Sequence, residues 1–251
     1  MSTFVLIHGA GSGAWVWHKV VPLLKQQGHL VITPDLPGHG QNLCSLAEVT
    51  LSAYVDCVGQ ALKEQSEPVI LVGHSMGGGI ITQVAEYYPD RIQTLVYLAG
   101  YLLRSGETML EITQADAESI LLANAIFTED QLAATFRPEA LKEIGYGDCS
   151  DEDMALVRSR LIPQAVAPLV TPVSTTTGNF GRVPRVYIEC LRDRTIGPTA
   201  QKRMYTALLC EQVISMDTSH NPYLSCPQAL AGHLLALQNS KSVNGESGAQ
   251  R

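Results

Sequence analysis

The stretch Val69-Ile-Leu-Val-Gly-His-Ser-Met-Gly-Gly-Gly79 constrains this chain more than any other. Residues 69–72 form a continuous apolar run, β-branched at three of its four positions, which predicts a strand buried on both faces. Gly73-His-Ser75-Met-Gly77 follows at once, and residues 80–88 then repeat apolar positions at helical spacing until Pro89. A serine on a tight turn between strand and helix holds its hydroxyl clear of the backbone, as attack on a carbonyl requires. Side chains at Gly73 and Gly77 would collide across that turn. The N-terminal N–H groups of the following helix point to where negative charge would develop. The pattern nominates Ser75 as a nucleophile. The alternative, a glycine-rich turn cradling a phosphate, has no G-x-x-x-x-G-K-[ST] and no G-x-G-x-x-G with a following acid to support it.

At 251 residues the chain is long enough for one α/β domain with an insertion and a core that needs no staples. A hydrophobic content of 45% with 16% charged residues is globular, and a net charge of −7 speaks against nucleic acid or an anionic membrane as partner. The six cysteines, at 44, 57, 149, 190, 210 and 226, never form C-x-x-C, so reduced and mostly buried thiols are expected, with no metal and no cofactor. No basic leader precedes Phe4-Val-Leu-Ile7 and no apolar run approaches a membrane span, so the cytoplasm is the expected compartment.

Phe4-Val-Leu-Ile7 predicts a first buried strand, and His8-Gly-Ala-Gly-Ser-Gly13 a glycine-rich loop behind it. Trp17, Val20, Val21 and Leu24 share one face of a helix ending near Gly28. Such a loop can turn a backbone N–H inward, so an oxyanion site would draw one N–H from Ala10 and one from Met76. Residues 30–33 predict a second strand. Asp35 and His39 lie in the Pro- and Gly-rich turn that follows, where both side chains are expected to hydrogen-bond their own backbone. Leu51, Tyr54, Val55, Val58 and Leu62 mark an amphipathic helix, and residues 94–98 a further strand with no carboxylate at its end.

From 101 to 182 the pattern changes. Helical segments are expected at 115–125, 129–136 and 151–161, with Pro138, Pro163, Pro168 and Pro172 as breaks. This predicts a helical cap inserted into a core made of 1–100 and 183–238. Phe127, Phe136, Leu161, Leu169 and Val173 are candidates to line a pocket. Strands resume at 185–191 and 212–216, with a helix between them at 200–209 and a last helix from Pro227 that turns Leu230, Leu234 and Leu237 inward. Residues 239–251 are polar and expected to be disordered.

Alternating strands and helices imply a mainly parallel sheet whose function gathers at the carboxyl ends of its strands. Ser75, Asp193 and His220 each follow a predicted strand, in the order Ser, Asp, His. Contact among them would let His220 take the Ser75 proton while Asp193 fixes the imidazole tautomer. Asp217, on the same loop as His220, is the rival acid. His74 is expected to line the pocket beside the nucleophile.

His8-Gly-Ala-Gly-Ser-Gly-Ala-Trp15, Gly73-His-Ser-Met-Gly-Gly78, Tyr187-Ile-Glu-Cys-Leu-Arg-Asp193 and Ser219-His220 with Pro227 beyond resemble the α/β-hydrolase branch that holds plant methylesterases, hydroxynitrile lyases and bacterial carboxylesterases of the pyrethroid-hydrolase type. The resemblance implies an α/β-hydrolase fold, with Ser75 as nucleophile, Asp193 as acid, His220 as base, Ala10 and Met76 as oxyanion donors, and His74 and Gly9 at the substrate. The lyases of this branch carry Thr where this chain has Gly9 and Lys where it has Asn221, which favours ester hydrolysis over cyanohydrin chemistry. The plant enzymes' first loop differs from Ala10-Gly-Ser12, so a plant-hormone methyl ester is not implied. The expectation is a metal-free carboxylesterase for small to medium hydrophobic esters, compatible with a homodimer. A lyase or C–C bond hydrolase on the same triad, or a ligand receptor on this scaffold, stands as the alternative.

Overall fold

The structure, a computed structural model, describes residues 1–237; the tail expected to be disordered lies outside them. Four strands open the chain: β1 (Thr3–Ile7), β2 (Leu30–Ile32), β3 (Val69–His74) and β4 (Ile92–Leu98). Three short ones follow within the insertion, β5 (Ala125–Phe127), β6 (Ala133–Phe136) and β7 (Gln164–Ala165), before β8 (Arg185–Cys190) and β9 (Gln212–Met216). The main sheet has the order β2-β1-β3-β4-β8-β9, and every pairing in it is parallel. The mainly parallel α/β architecture read from the sequence is what the chain adopts.

Alternation along each strand divides the core in two. Val5 and Ile7 of β1, with Leu71 of β3 and Tyr97 of β4, face one layer of buried residues; Phe4, Leu6, Ile70, Val72, Val96 and Leu98 face the other. Covering the second face is α1 (Val20–Gln26), which continues a 3₁₀ turn begun at Ala14 and ends before Gly28 at φ +80°. The first face is covered by α2 (Leu51–Lys63), whose Thr50 cap accepts the Ala53 N–H at 3.0 Å, and by α3 (Met76–Tyr87). Each fully buried aliphatic side chain stabilises the fold by roughly 1.5–3 kcal/mol before its ordering cost, so β3, whose six residues are all buried, is anchored firmly. The elbow therefore leaves the centre of the sheet rather than its edge.

The insertion departs from expectation in two places. Residues 115–125 form no α-helix, only a 3₁₀ turn at Leu122–Asn124: α4 (Met109–Gln114) comes earlier, opened by the capping box Thr108-Met-Leu-Glu111. Beyond it, Asp116, Glu118 and Ser119 turn their side chains to Gly197, Thr199 and Thr195 of the core instead of continuing the helix. Residues 129–136 are not a helix either. Thr128 and Asp130 bind the backbone of 132 and 133, Gln131 turns at φ +60°, and the chain returns as β6, paired antiparallel with β5 and β7. Local turn chemistry and strand pairing outweigh helix-forming composition there. The third expected helix is present as α6 (Asp151–Arg160), with α5 (Leu141–Gly145) before it and α7 (Ala167–Val170) after it. After β8 come α8 (Pro198–Ala207), α9 (Pro222–Ser225) and α10 (Pro227–Ala236). Among the described residues no helix is long and apolar enough to cross a membrane.

Candidate active site

Ser75 stands between β3 and α3 with φ 54° and ψ −122°, a conformation that non-glycine residues rarely adopt. It is held there by backbone bonds on both sides: its N–H donates to Leu98 O at 3.2 Å, and its carbonyl accepts from Gly78 N at 2.9 Å and Tyr101 N at 3.1 Å. The turn leaves no room for side chains at Gly73, where a Cβ would come within 2.5 Å of the Gly77 carbonyl oxygen. Met76 opens α3, so its N–H has no acceptor within the helix.

Asp193 and His220 meet across the ends of β8 and β9. Asp193 Oδ2 lies 2.6 Å from His220 Nδ1. The same carboxylate accepts the N–H groups of Thr195 at 2.7 Å and Ile196 at 3.0 Å and the Gln201 side-chain amide at 3.1 Å. Both side chains are buried. A carboxylate so surrounded is fixed in orientation, and a carboxylate accepting from Nδ1–H leaves Nε2 of the neutral ring as a base. The flanking arginines point away: Arg192 pairs with Asp217 at 3.0 Å, and Arg194 with Glu143. Asp217 is thus spent at an exposed ion pair, whereas Asp193 faces the imidazole.

The insertion braces the loops that carry these groups. Thr195 donates its hydroxyl to Ile144 O at 2.9 Å, Asn221 its amide to Gly145 O at 2.7 Å, and Ser219 its N–H to Asp148 at 2.9 Å. The contacts Gln201–Asp193 and Asn221–Gly145 carry no local sequence signal: the first joins a helix to the loop before it, and the second spans 76 positions.

His74 couples the elbow to the base loop. Its Nε2 lies 3.0 Å from the carbonyl oxygen of His220, which can only accept, so Nε2 carries the hydrogen. Its ring packs 4.6 Å from that of His220 and 4.8 Å, edge-on, from that of Tyr223. Complete burial and the neighbouring His220 push its pKa well below the ordinary histidine value, so it stays neutral.

Ser75 and His220 open into a common cavity of about 120 Å³, together with Gly9, Ala10, Met76 and His74. Its outer wall is largely insertion, and includes Phe127, Phe136, Leu161 and Leu169 of the expected lining residues. Val173 does not line it; that side chain is buried in the main core. Tyr101, Met109, Tyr146 and Gln164 do line it and were not expected. No Asp, Glu, Lys or Arg stands among the lining residues, and no cluster of metal-ligating side chains occurs among the described residues. Asp35 and His39 are held within the structure: Asp35 accepts the N–H groups of Ala14 at 2.6 Å and Gln41 at 3.0 Å, and His39 Nε2 lies 3.0 Å from the Gln164 side-chain oxygen.

The chain resembles known proteins over most of its length. The model of the alpha/beta hydrolase family matches residues 4–233. A presumed chloroplastic methylesterase of Arabidopsis thaliana, methylesterase 11, is 34% identical over 249 residues, covering 94% of this chain and 63% of that longer protein. A pyrethroid hydrolase of Sphingobium wenxiniae is 32% identical over 240 residues, covering 92% of this chain and 85% of its own. A solved pyrethroid hydrolase of Sphingobium faniae superposes with a TM-score of 0.84 at 29% identity, covering 96% of this chain and 98% of that one. Sequence, sheet order and elbow agree: the chain belongs to the α/β-hydrolase family, in the branch that holds plant methylesterases and bacterial pyrethroid hydrolases.

Proposed function

We propose that this protein is a serine carboxylesterase acting on small to medium, uncharged hydrophobic esters through an acyl-enzyme. The observation that carries the reading is the 2.6 Å contact of Asp193 with Nδ1 of His220, whose ring lines a cavity together with Ser75. In the first half-reaction His220 Nε2 takes the Ser75 proton as Oγ attacks the ester carbonyl. The tetrahedral oxyanion is received by the N–H groups of Ala10 and Met76, and His220 returns the proton to the departing alcohol. Water, deprotonated by the same imidazole, then attacks the acyl-serine and frees the acid. An apolar wall without a formal charge supports neutral acyl and alcohol groups, since an ionised substrate would lose its hydration there without a counter-charge.

Hydrolysis is supported over cyanohydrin cleavage by the packing at Gly9. A Cβ at this position would come within 2.9 Å of His74 Nδ1 and 3.0 Å of the Ser75 Cβ. A threonine hydroxyl therefore cannot be placed there while His74 keeps its position. The test is a panel of short p-nitrophenyl and larger neutral esters, with a covalent serine inhibitor and mass spectrometry of the labelled peptide. The adduct is expected on Ser75, and Ser75→Ala is expected to lower kcat on the order of a millionfold. Unchanged turnover in that variant removes Ser75 from the mechanism, and mandelonitrile cleavage without ester hydrolysis overturns the choice of reaction.

A further inference from the structure

The loop that carries Ala10 is gripped from the insertion. The Gly11 carbonyl accepts the Ile162 N–H at 2.9 Å, and the Gly11 N–H donates to Gln164 Oε1 at 3.1 Å. Gly11 has φ +63°, and a Cβ on it would lie 2.6 Å from the Ile162 carbonyl oxygen. Both polar groups of this one glycine are therefore taken by residues 162–164, against a backbone that admits no other residue at position 11.

Gln164 is itself held from several sides. Its Nε2 donates to Ala165 O at 3.0 Å and to Tyr54 Oη at 3.0 Å; its Oε1, besides Gly11, faces His39 Nε2 at 3.0 Å. Gly11 N–H can only donate and Ala165 O can only accept, so these two backbone partners fix which end of the amide is which. His39 must then carry its hydrogen on Nε2. The side chain is buried at 3% exposure and still lines the cavity. Four segments meet on this amide: the loop after β1, the turn after β2, helix α2 and strand β7. A buried amide with every bond made has a single orientation, and losing any partner is costly.

We propose that Gln164 is a positioning residue for the oxyanion site, acting through Gly11. This rests on the esterase reading above. By consuming the Gly11 N–H, Gln164 leaves the N–H of Ala10 as the donor that the loop offers to the developing oxyanion. By tying that loop to β7, it makes the site's geometry depend on the insertion being seated. The insertion thus contributes to the chemical step and not only to the choice of ester. Ground-state binding relies mainly on the apolar wall, of which this amide is one polar member among many apolar ones.

The experiment compares wild type, Gln164→Met and Gln164→Glu on p-nitrophenyl butyrate, with hydrogen–deuterium exchange at the Gly11 amide read in parallel. Methionine keeps the bulk and loses every hydrogen bond, whereas glutamate keeps an oxygen for the Gly11 N–H. Gln164→Met is expected to lower kcat by about 10- to 100-fold with KM within about two-fold, less than outright loss of an oxyanion donor. It is also expected to speed Gly11 exchange at least about tenfold. Gln164→Glu is expected to recover most of kcat and the slow exchange. Wild-type kcat in Gln164→Met, a change confined to KM, or a Gln164→Glu as impaired as Gln164→Met overturns the proposal. Should Gln164→Met not fold, the wild-type protein alone still decides: a Gly11 amide that exchanges like an open loop refutes the clamp. Wild type without Ser75-dependent turnover overturns the esterase reading itself, whereas wild-type turnover with an unaffected Gln164→Met overturns only the role of Gln164.

Discussion

Two pairs of buried histidines sit at the carboxyl end of this sheet, and their likeness is close. The rings of His74 and His220 lie 4.6 Å apart at 52°, those of His8 and His39 4.9 Å apart at 53°, and each pair has an aspartate nearby. What separates them is where the carboxylate is spent. Asp193 gives one oxygen to backbone N–H groups and the other to His220 Nδ1, leaving that ring a free nitrogen in a cavity with Ser75. Asp35 gives both oxygens to backbone N–H groups, of Ala14 and Gln41. His8 uses both nitrogens on backbone, Nδ1 on Gly9 O at 2.8 Å and Nε2 on Leu36 N at 3.2 Å. The same residue types place an imidazole in the cavity with Ser75 in one corner and a set of backbone-bound side chains in the other. Burial of an imidazole near a carboxylate is not enough; a carboxylate oxygen that faces Nδ1, as Asp193 Oδ2 does while also accepting the Gln201 amide, is the distinction.

The largest expected effect tests that distinction directly. Asp193→Asn keeps the shape of the acid but presents no full charge to His220 and allows the wrong tautomer, so kcat is expected to fall about 10⁴-fold, as in other triads. Stopped-flow measurement of acylation should show the loss in the chemical step. An Asp193→Asn enzyme within tenfold of wild type would mean that the two corners do not differ as described.

Much of this was legible in the sequence and part was not, for definite reasons. The elbow could be read because strand, glycines and serine are contiguous at positions 69–79, and β1, β3 and β4 because parallel strands buried on both faces are continuous apolar runs. Asp193 and His220 could be nominated because each follows a predicted strand, and the structure brings the two side chains into contact. The insertion was read poorly: 129–136 has the composition of a helix, and only the bonds of Thr128 and Asp130 and the pairing with β7 make it a turn and strand. The capping box at Thr108 was present in the sequence and would have located α4. Gln164 carried no local signal at all, since its partners lie 110, 125 and 153 positions away.

The second prediction concerns acid. Burial, aided by the neighbouring His39, brings the His8 pKa down to about 3 from 6.5, and His39 and His74 are shifted the same way by burial. The unfolded chain binds these protons below about pH 6.5 and the folded chain does not, so the stability is complete above 6.5 and is lost as pH falls toward 3. For His8 the full loss across that window is on the order of 5 kcal/mol. Urea unfolding at pH 7, 5.5 and 4 should show the decline. His8→Gln, which does not titrate, should be less stable at pH 7 but decline less steeply. A slope identical to wild type would remove His8 from the acid response.

Asp35→Asn should be smaller and of a different kind. One of its two backbone N–H partners loses its acceptor, which costs about 1–3 kcal/mol of stability, while kcat per folded molecule stays within about threefold of wild type. A loss of kcat comparable to that of Asp193→Asn, with the thermal midpoint unchanged, would make the β1–β2 corner catalytic after all.

The smallest expected effect bears on the rival acid. Asp217 shares a loop with His220, yet its side chain is 79% exposed and bound to Arg192 Nε at 3.0 Å. An exposed pair of this kind contributes at most about 1 kcal/mol, and nothing in its geometry connects it to the imidazole. Asp217→Asn is therefore expected to leave kcat and KM within about twofold. Since Arg192 also approaches Asp148 at 3.5 Å, the guanidinium keeps a carboxylate partner in the variant, and the loop that presents His220 should hold its position. A drop of a hundredfold or more in kcat would show that the chain reaches its base from the β9 loop, and the contrast between the two histidine pairs would have to be drawn elsewhere.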